Sequence, residues 1–294
     1  MKMHVPMTLA AGLLLIAAGP ALARGGSPIN ETRALAADGQ LSVNNMAGTI
    51  TVRGWDRSEV AISGTLGEDA EKLEISGDAN NLSINVRYPG GTRGHVDQTY
   101  LELRVPARAG LRLDAVSADI AVGSTSGPIA ARSVSGDVQL NVGSGEVNAS
   151  TVSGDLTVKA PSFKTTLNSV SGDLTASGVR GTLKAETVSG QLSIEGGAFR
   201  DVSLQSVSGD MSLDLSLEDA AKLSAETLSG DIDLRLPKMP SAQLTMKTFS
   251  GDLRNAFAGG DEGGDVRKVS TTLGGGRGSI DLHTFSGDIR IEPR

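Results

Sequence analysis

"SVSGDVQL" at residues 133–140 is followed by "TVSGDLTV" at 151–158, "SVSGDLTA" at 169–176 and "TVSGQLSI" at 187–194. Aligned on the serine of Val-Ser-Gly, the register runs through Ser117, Ser135, Ser153, Ser171, Ser189, Ser208, Ser229, Ser250 and Ser286. The steps are 18, 18, 18, 18, 19, 21, 21 and 36 residues. A period held four times running marks a repeat architecture, and its length is too short for a unit containing a helix.

Columns of the alignment give the local structure. Three residues after the serine stand Ile120, Val138, Leu156, Leu174, Leu192, Met211, Ile232, Leu253 and Ile289. Two further on come Val122, Leu140, Val158, Ala176, Ile194, Leu213 and Leu234. Before the serine lie aliphatic columns such as Ala131, Ala149, Leu167 and Ala185, and Ile129, Val147, Leu183 and Val202. Alternation with period two predicts strands with one buried face. Glycine clusters at 143–145 and 196–197 punctuate them.

A single coil buries too few apolar side chains to offset the entropy of ordering it, so coils must stack and share a core. The expected fold is all-β, a single parallel β-solenoid (β-helix) with about 18–21 residues per coil and a less regular N-terminal cap. Nine coils would make a rod roughly 40 Å long. A sandwich of hairpins is the other all-β arrangement, and the equal columns argue against it. The expected division is a signal peptide at 1–23, a cap region at 24–110 and the repeat region at 111–294.

At the corner, the column immediately before the serine is Val116, Val134, Val152, Val170, Val188, Val207, Leu228, Phe249 and Phe285. It reads as buried, so that Val152→Asp should disrupt folding. One residue earlier, Ser133, Thr151, Ser169, Thr187, Ser206, Thr227, Thr248 and Thr284 read as an outward hydroxyl ladder. An ice- or ligand-binding array is weighed there and set aside, because mixed Ser and Thr make a poor lattice.

The N-terminus has Lys2, an apolar run at Thr8–Ala18 and Ala21-Leu22-Ala23, the features of a secretory signal peptide. No later stretch reads as a transmembrane anchor. The chain has no cysteine and a net charge of −7, one unit more negative without Lys2. Disulfides and thiolate-bound metals are excluded, and an acidic chain without a basic cluster is a poor partner for nucleic acid.

The capping region resembles the repeat at "LSVNNMAGTITV" (41–52), and strand-like runs follow at 60–62, 82–86 and 100–105. "GTITVRGWD" (48–56), "LELRVPARAGLRLDAVSADIAV" (101–122) and the serial "VSGD" corners resemble the bacterial putative-adhesin family of β-strand-repeat domains of unknown function, over residues 38–292. The resemblance implies an exported β-solenoid at the cell envelope, in adhesion or envelope-stress settings. It brings no catalytic residues.

Three chemistries are weighed. The Asp column, Asp119, Asp137, Asp155, Asp173, Asp210, Asp231, Asp252 and Asp288 with Gln191 interrupting, offers hard-cation ligands. The plainer account has each Asp bonding its own turn backbone, and "GGDEGGD" (259–265) reads as an acidic loop. His95 and His283 read as surface residues, not as bases for a serine nucleophile. A β-helical polysaccharide-active enzyme would gather its acids at one coil beside aromatic platforms. Here the acids recur on every coil, and Trp55, Tyr88 and Tyr100 precede the repeats.

The expected protein is therefore exported, non-enzymatic, periplasmic or at the cell surface, and a scaffold for adhesion or for an envelope protein or cell-wall polymer. No catalytic, cofactor or metal residues are assigned. The enzyme and the calcium-binding repeat protein stand as alternatives.

Overall fold

The structure is a computed structural model and describes residues 26–89, 96–143, 145–257 and 267–294. Among these, the regular structure is all strand. The leader read at 1–23, His95 and the 259–265 loop lie outside the described residues.

From residue 110 to residue 236 each coil stacks on the next in parallel, one repeat per rung. Strand Leu156–Lys159 pairs on one side with Val138–Asn141 and on the other with Leu174–Ser177. Val147–Ser150 pairs likewise with Ile129–Arg132 and Lys164–Ser169. These ladders align Val138, Leu156, Leu174 and Leu192 on one sheet and Ala131, Ala149, Leu167 and Ala185 on the other. All are buried, as the alternation predicts.

The stack continues below residue 110. Strand Gln40–Trp55 pairs in parallel with Gly110–Gly123, and on its other side with Asn81–Arg87 and Thr99–Pro106. The chain's first coil is thus second from the end in space. Antiparallel strands then close that end: Lys72–Gly77 on Asn81–Arg87, Glu59–Leu66 on Thr99–Pro106, and Ser27–Ala34 outermost.

The other end repeats the device and accounts for the 36-residue step. Gly278–Ser286 inserts between Met211–Ser229 and Ala242–Lys247, and Ile289–Pro293 between Ile232–Leu236 and Leu253–Asn255. Lys268–Leu273 then covers Ala242–Lys247 in antiparallel sense. The expectation of purely parallel pairing is corrected at both ends. Antiparallel strands there occupy backbone groups that an open edge would expose.

The corner explains why the chain repeats Val-Ser-Gly-Asp. A Cβ on Gly154 would lie 2.2 Å from the Gly136 carbonyl oxygen, and one on Gly172 2.0 Å from that of Gly154. Only glycine lets corners stack at strand spacing. Ala118 holds this place in Gly110–Gly123, where the strand runs through the corner unbroken.

The flanking residues serve the same turn. Thr151 Oγ1 accepts the Gly154 N–H at 3.0 Å, and Ser133 Oγ accepts that of Gly136 at 2.9 Å. The Ser/Thr column is therefore buried, and its outward assignment is corrected. The Val column beside it points to solvent: Val116, Val134, Val152, Val170, Val188 and Val207 are 41–46% exposed, and Phe249 and Phe285 67% and 52%. This overturns its buried assignment and the expected lethality of Val152→Asp.

Every Asp carboxylate of the column except Asp252 accepts an N–H from the adjoining coil, where the turn's own backbone was expected. Asp119 Oδ1 takes the Asp137 N–H at 3.0 Å, Asp137 that of Asp155 at 2.9 Å, and Asp155 that of Asp173 at 3.0 Å. Asp173 takes the Gln191 N–H at 2.8 Å. The column is a side-chain ladder tying coil to coil.

From Gly190 on, the corner changes hand. Gly190, Gly209, Gly230 and Gly287 have φ between +140° and +151°, and each donates its N–H to the serine carbonyl of the adjoining coil. The hydroxyls of Thr187 and Ser206 thereby lose their glycine donor and are left without partners.

Gly154→Ala should cost about 2–4 kcal/mol in thermal or urea unfolding. Gly123→Ala, where a Cβ meets nothing within 4 Å, should change stability by less than about 0.5 kcal/mol. Asp155→Asn should also be near neutral because its Oδ1 remains an acceptor, whereas Asp155→Ala should lose about 1 kcal/mol. Deleting 278–294 should strip amide protection from Ala242–Lys247 as well, since that strand's parallel neighbour is removed.

Candidate binding face

The outward corner column builds the feature that distinguishes this surface. In spatial order Met46, Val116, Val134, Val152, Val170, Val188, Val207, Leu228, Phe285 and Phe249 stand one above another, each at least a third exposed. At about 4.8 Å per rung the stripe is roughly 40 Å long. The two phenylalanines stack with ring centroids 4.8 Å apart and planes 5° from parallel. Contiguous exposed apolar surface of this length marks an interaction site more often than scattered single residues do.

Charge borders the stripe. On one side lie the serine row and then the Asp ladder. On the other, the row two residues before each valine position in the strand carries Ser150, Asn168, Glu186, Gln205, Glu226 and His283. Between Val170 and Leu228 the stripe forms one wall of a groove of about 650 Å³, with Asn168, Glu186, Gln205 and Glu226 as the opposite wall and the buried Ser/Thr column at its base. Toward the C-terminal end Arg290 closes on Asp288 at 2.6 Å and on Asp231 at 3.8 Å, and in the middle Lys184 pairs with Glu186 at 2.7 Å, so among the described residues Asp173, Asp210 and Glu226 are the acids that border the middle coils without an ion pair.

The other residues weighed for chemistry fall elsewhere. His283 is in register with Glu226 and Lys247, and its Nε2 has no hydrogen-bond partner. Trp55 ends strand Gln40–Trp55 and donates to the Glu59 carbonyl at 2.9 Å, with the Arg57 guanidinium over its ring. Tyr88 packs on the core with its hydroxyl within hydrogen-bond distance of Asn45 Oδ1 and Thr99 Oγ1, where burial pushes its phenol above the ordinary range. Asn45 in turn donates to the Thr99 carbonyl at 3.0 Å, so this network ties Tyr88 and Asn45 to the start of strand Thr99–Pro106. Among the described residues no three His, Asp or Glu are grouped to hold a metal. A second hollow of about 300 Å³ between Arg53, Arg104 and Glu102 lies on the sheet near the N-terminal end.

Stacked coils with one outward feature per rung define an all-β repeat protein whose recognisable surface runs in rows. The family model described as Toastrack, DUF4097, matches residues 39–292, and the chain belongs to that family. Among curated proteins none matches it. Two solved structures from Parabacteroides distasonis, a putative lipid binding protein and a putative adhesin, are each 12% identical over 91% of this chain and 98% of theirs, with TM-scores of 0.45 and 0.43. A putative cell adhesion protein from Clostridium sporogenes is 13% identical over 91% of this chain and all of its own, with a TM-score of 0.25. Likenesses this distant say nothing about a ligand.

The inverted corner has a direct test. Val152→Asp should change the melting temperature little, costing less than about 1 kcal/mol, whereas Val158→Asp, on the buried face of the same coil, should prevent folding.

Proposed function

We propose that the chain is an exported, non-enzymatic scaffold of the bacterial cell envelope, a single β-solenoid-like rod that holds a partner along its corner stripe. The unbroken apolar row from Met46 to Phe249 carries this reading, since none of the described residues covers it. The acids support it too. They recur once per coil as structural acceptors, whereas catalysis would call for convergent groups in one concave site. The signal-peptide features at 1–23 support export, and no described helix is long and apolar enough to cross a membrane.

A photo-cross-linking residue at position 170 or 207, in intact cells, should capture a partner, and one at Lys159, away from the stripe, should not. Protease shaving of the same cells reads location: loss of the protein while a periplasmic marker survives places it outside. Capture from Lys159 as readily as from the stripe would overturn the stripe as the binding face.

A further inference from the structure

We infer that the stripe's occupant is a cationic amphipathic helix, laid along the rod with its apolar ridge on Val170–Leu228 and its Lys or Arg side chains toward the flanking acids. The inference rests on the proposed function and names the chemistry of the partner.

Charge is the first argument. The apolar row is bounded by Asp173 and Asp210 on one side and by Glu226 on the other, with Glu186 beside it already paired with Lys184 at 2.7 Å. A partner that matches apolar surface in the middle and positive charge at both edges is complementary to it. A second copy of this chain is not. With the rods parallel, a two-fold pairing sets the Asp ladder against the row holding Glu186 and Glu226; with the rods antiparallel, Asp faces Asp. An anionic membrane surface meets the same repulsion.

Spacing is the second argument. Rungs recur at about 4.8 Å, while apolar positions along a helix repeat on average every 3.5 residues, about 5.3 Å at 1.5 Å per residue. The two drift by about half an ångström per rung, so a helix of several turns stays in step with the valines. An extended strand laid along the same row presents a side chain only every 6.6–6.8 Å, by general strand geometry, and falls out of register after one rung (~2 Å). The basic residues in the same rows, Arg132 and Lys247, lie outside the groove toward either end, so the match is best over the middle coils.

The test uses the full chain and two synthetic peptides of about 20 residues. Both carry Leu at the apolar positions of a seven-residue repeat; one has Lys and the other Glu at the flanking positions. By fluorescence anisotropy the Lys peptide should bind at least about tenfold more tightly than the Glu peptide, and should weaken severalfold between about 50 and 200 mM salt. The double variant Val188→Ser/Val207→Ser should lose about tenfold. Asp173→Asn/Asp210→Asn should lose about three- to tenfold with an unchanged melt, since the amide oxygens still accept the next coil's N–H groups.

Equal binding of the two peptides, or binding indifferent to the valines, overturns the inference. So does a dimer in sedimentation that Val188→Ser/Val207→Ser dissolves, which would give the stripe to a second copy, or flotation on neutral phosphatidylcholine vesicles through the same valines. If position 170 or 207 captures a partner in cells while the Lys peptide fails to bind, the scaffold reading stands and only the helix is wrong. If the stripe captures nothing, the scaffold reading itself falls.

Discussion

The carbonyl oxygen of one corner glycine sits against the Cα of the next. That contact, at which a Cβ would lie 2.0–2.4 Å from backbone oxygen from Gly154 to Gly209, sets the spacing on which the rest of the stack depends. Once corners are that close, the donors and acceptors of the turn have no room for water and must be met by neighbours. The inward hydroxyl and the Asp carboxylate do this from opposite sides. One satisfies the turn from within its coil, the other reaches the coil beyond. The repeated motif is thus a single steric solution with two hydrogen-bonded consequences.

The strands were legible in the sequence because alternation with period two holds wherever the backbone is extended, and Val138, Leu140, Ala149 and Leu167 are buried as it requires. It fails at the corner, where the chain turns and the alternation slips by one residue. Thr151 and Val152 are nearly isosteric and both β-branched, so propensity could not tell which faced inward. Two signals were available. A turn glycine needs a local acceptor, which a hydroxyl three residues earlier can supply. The column that holds valine in most coils also holds Phe249 and Phe285, too large for the space that alanine and valine fill inside. The candidate face lay hidden in this inversion.

The order of coils in space was less legible still. Ser250 and Ser286 sit in identical motifs, and an alignment records only that both belong to the column. Which coil lies next to Ser229 is decided by pairing over 36 residues, and the structure puts Ser286 there. The same rearrangement occurs at the start, where Gln40–Trp55 is held between two coils that follow it in sequence. Placing the terminal coils second from the end gives each a parallel neighbour on both sides. The exposed ends fall instead to segments closed by antiparallel strands, whose mixed polarity makes them poor templates for further stacking.

Strand propensity alone could account for six valines at an outward position, since β-branched residues suit extended backbone in solvent as well as in a core. It does not account for the choice of valine over threonine. Threonine is as good a strand former, would cost nothing in water, and is used at the very next position, where a hydroxyl is needed. Nor does propensity explain why the row widens to Leu228, Phe285 and Phe249, whose exposed area only the Phe–Phe stack partly recovers. The row is kept apolar where the fold itself does not require it, and the acids that tie the coils together stand alongside. A surface of that kind is what the proposed partner-holding role requires.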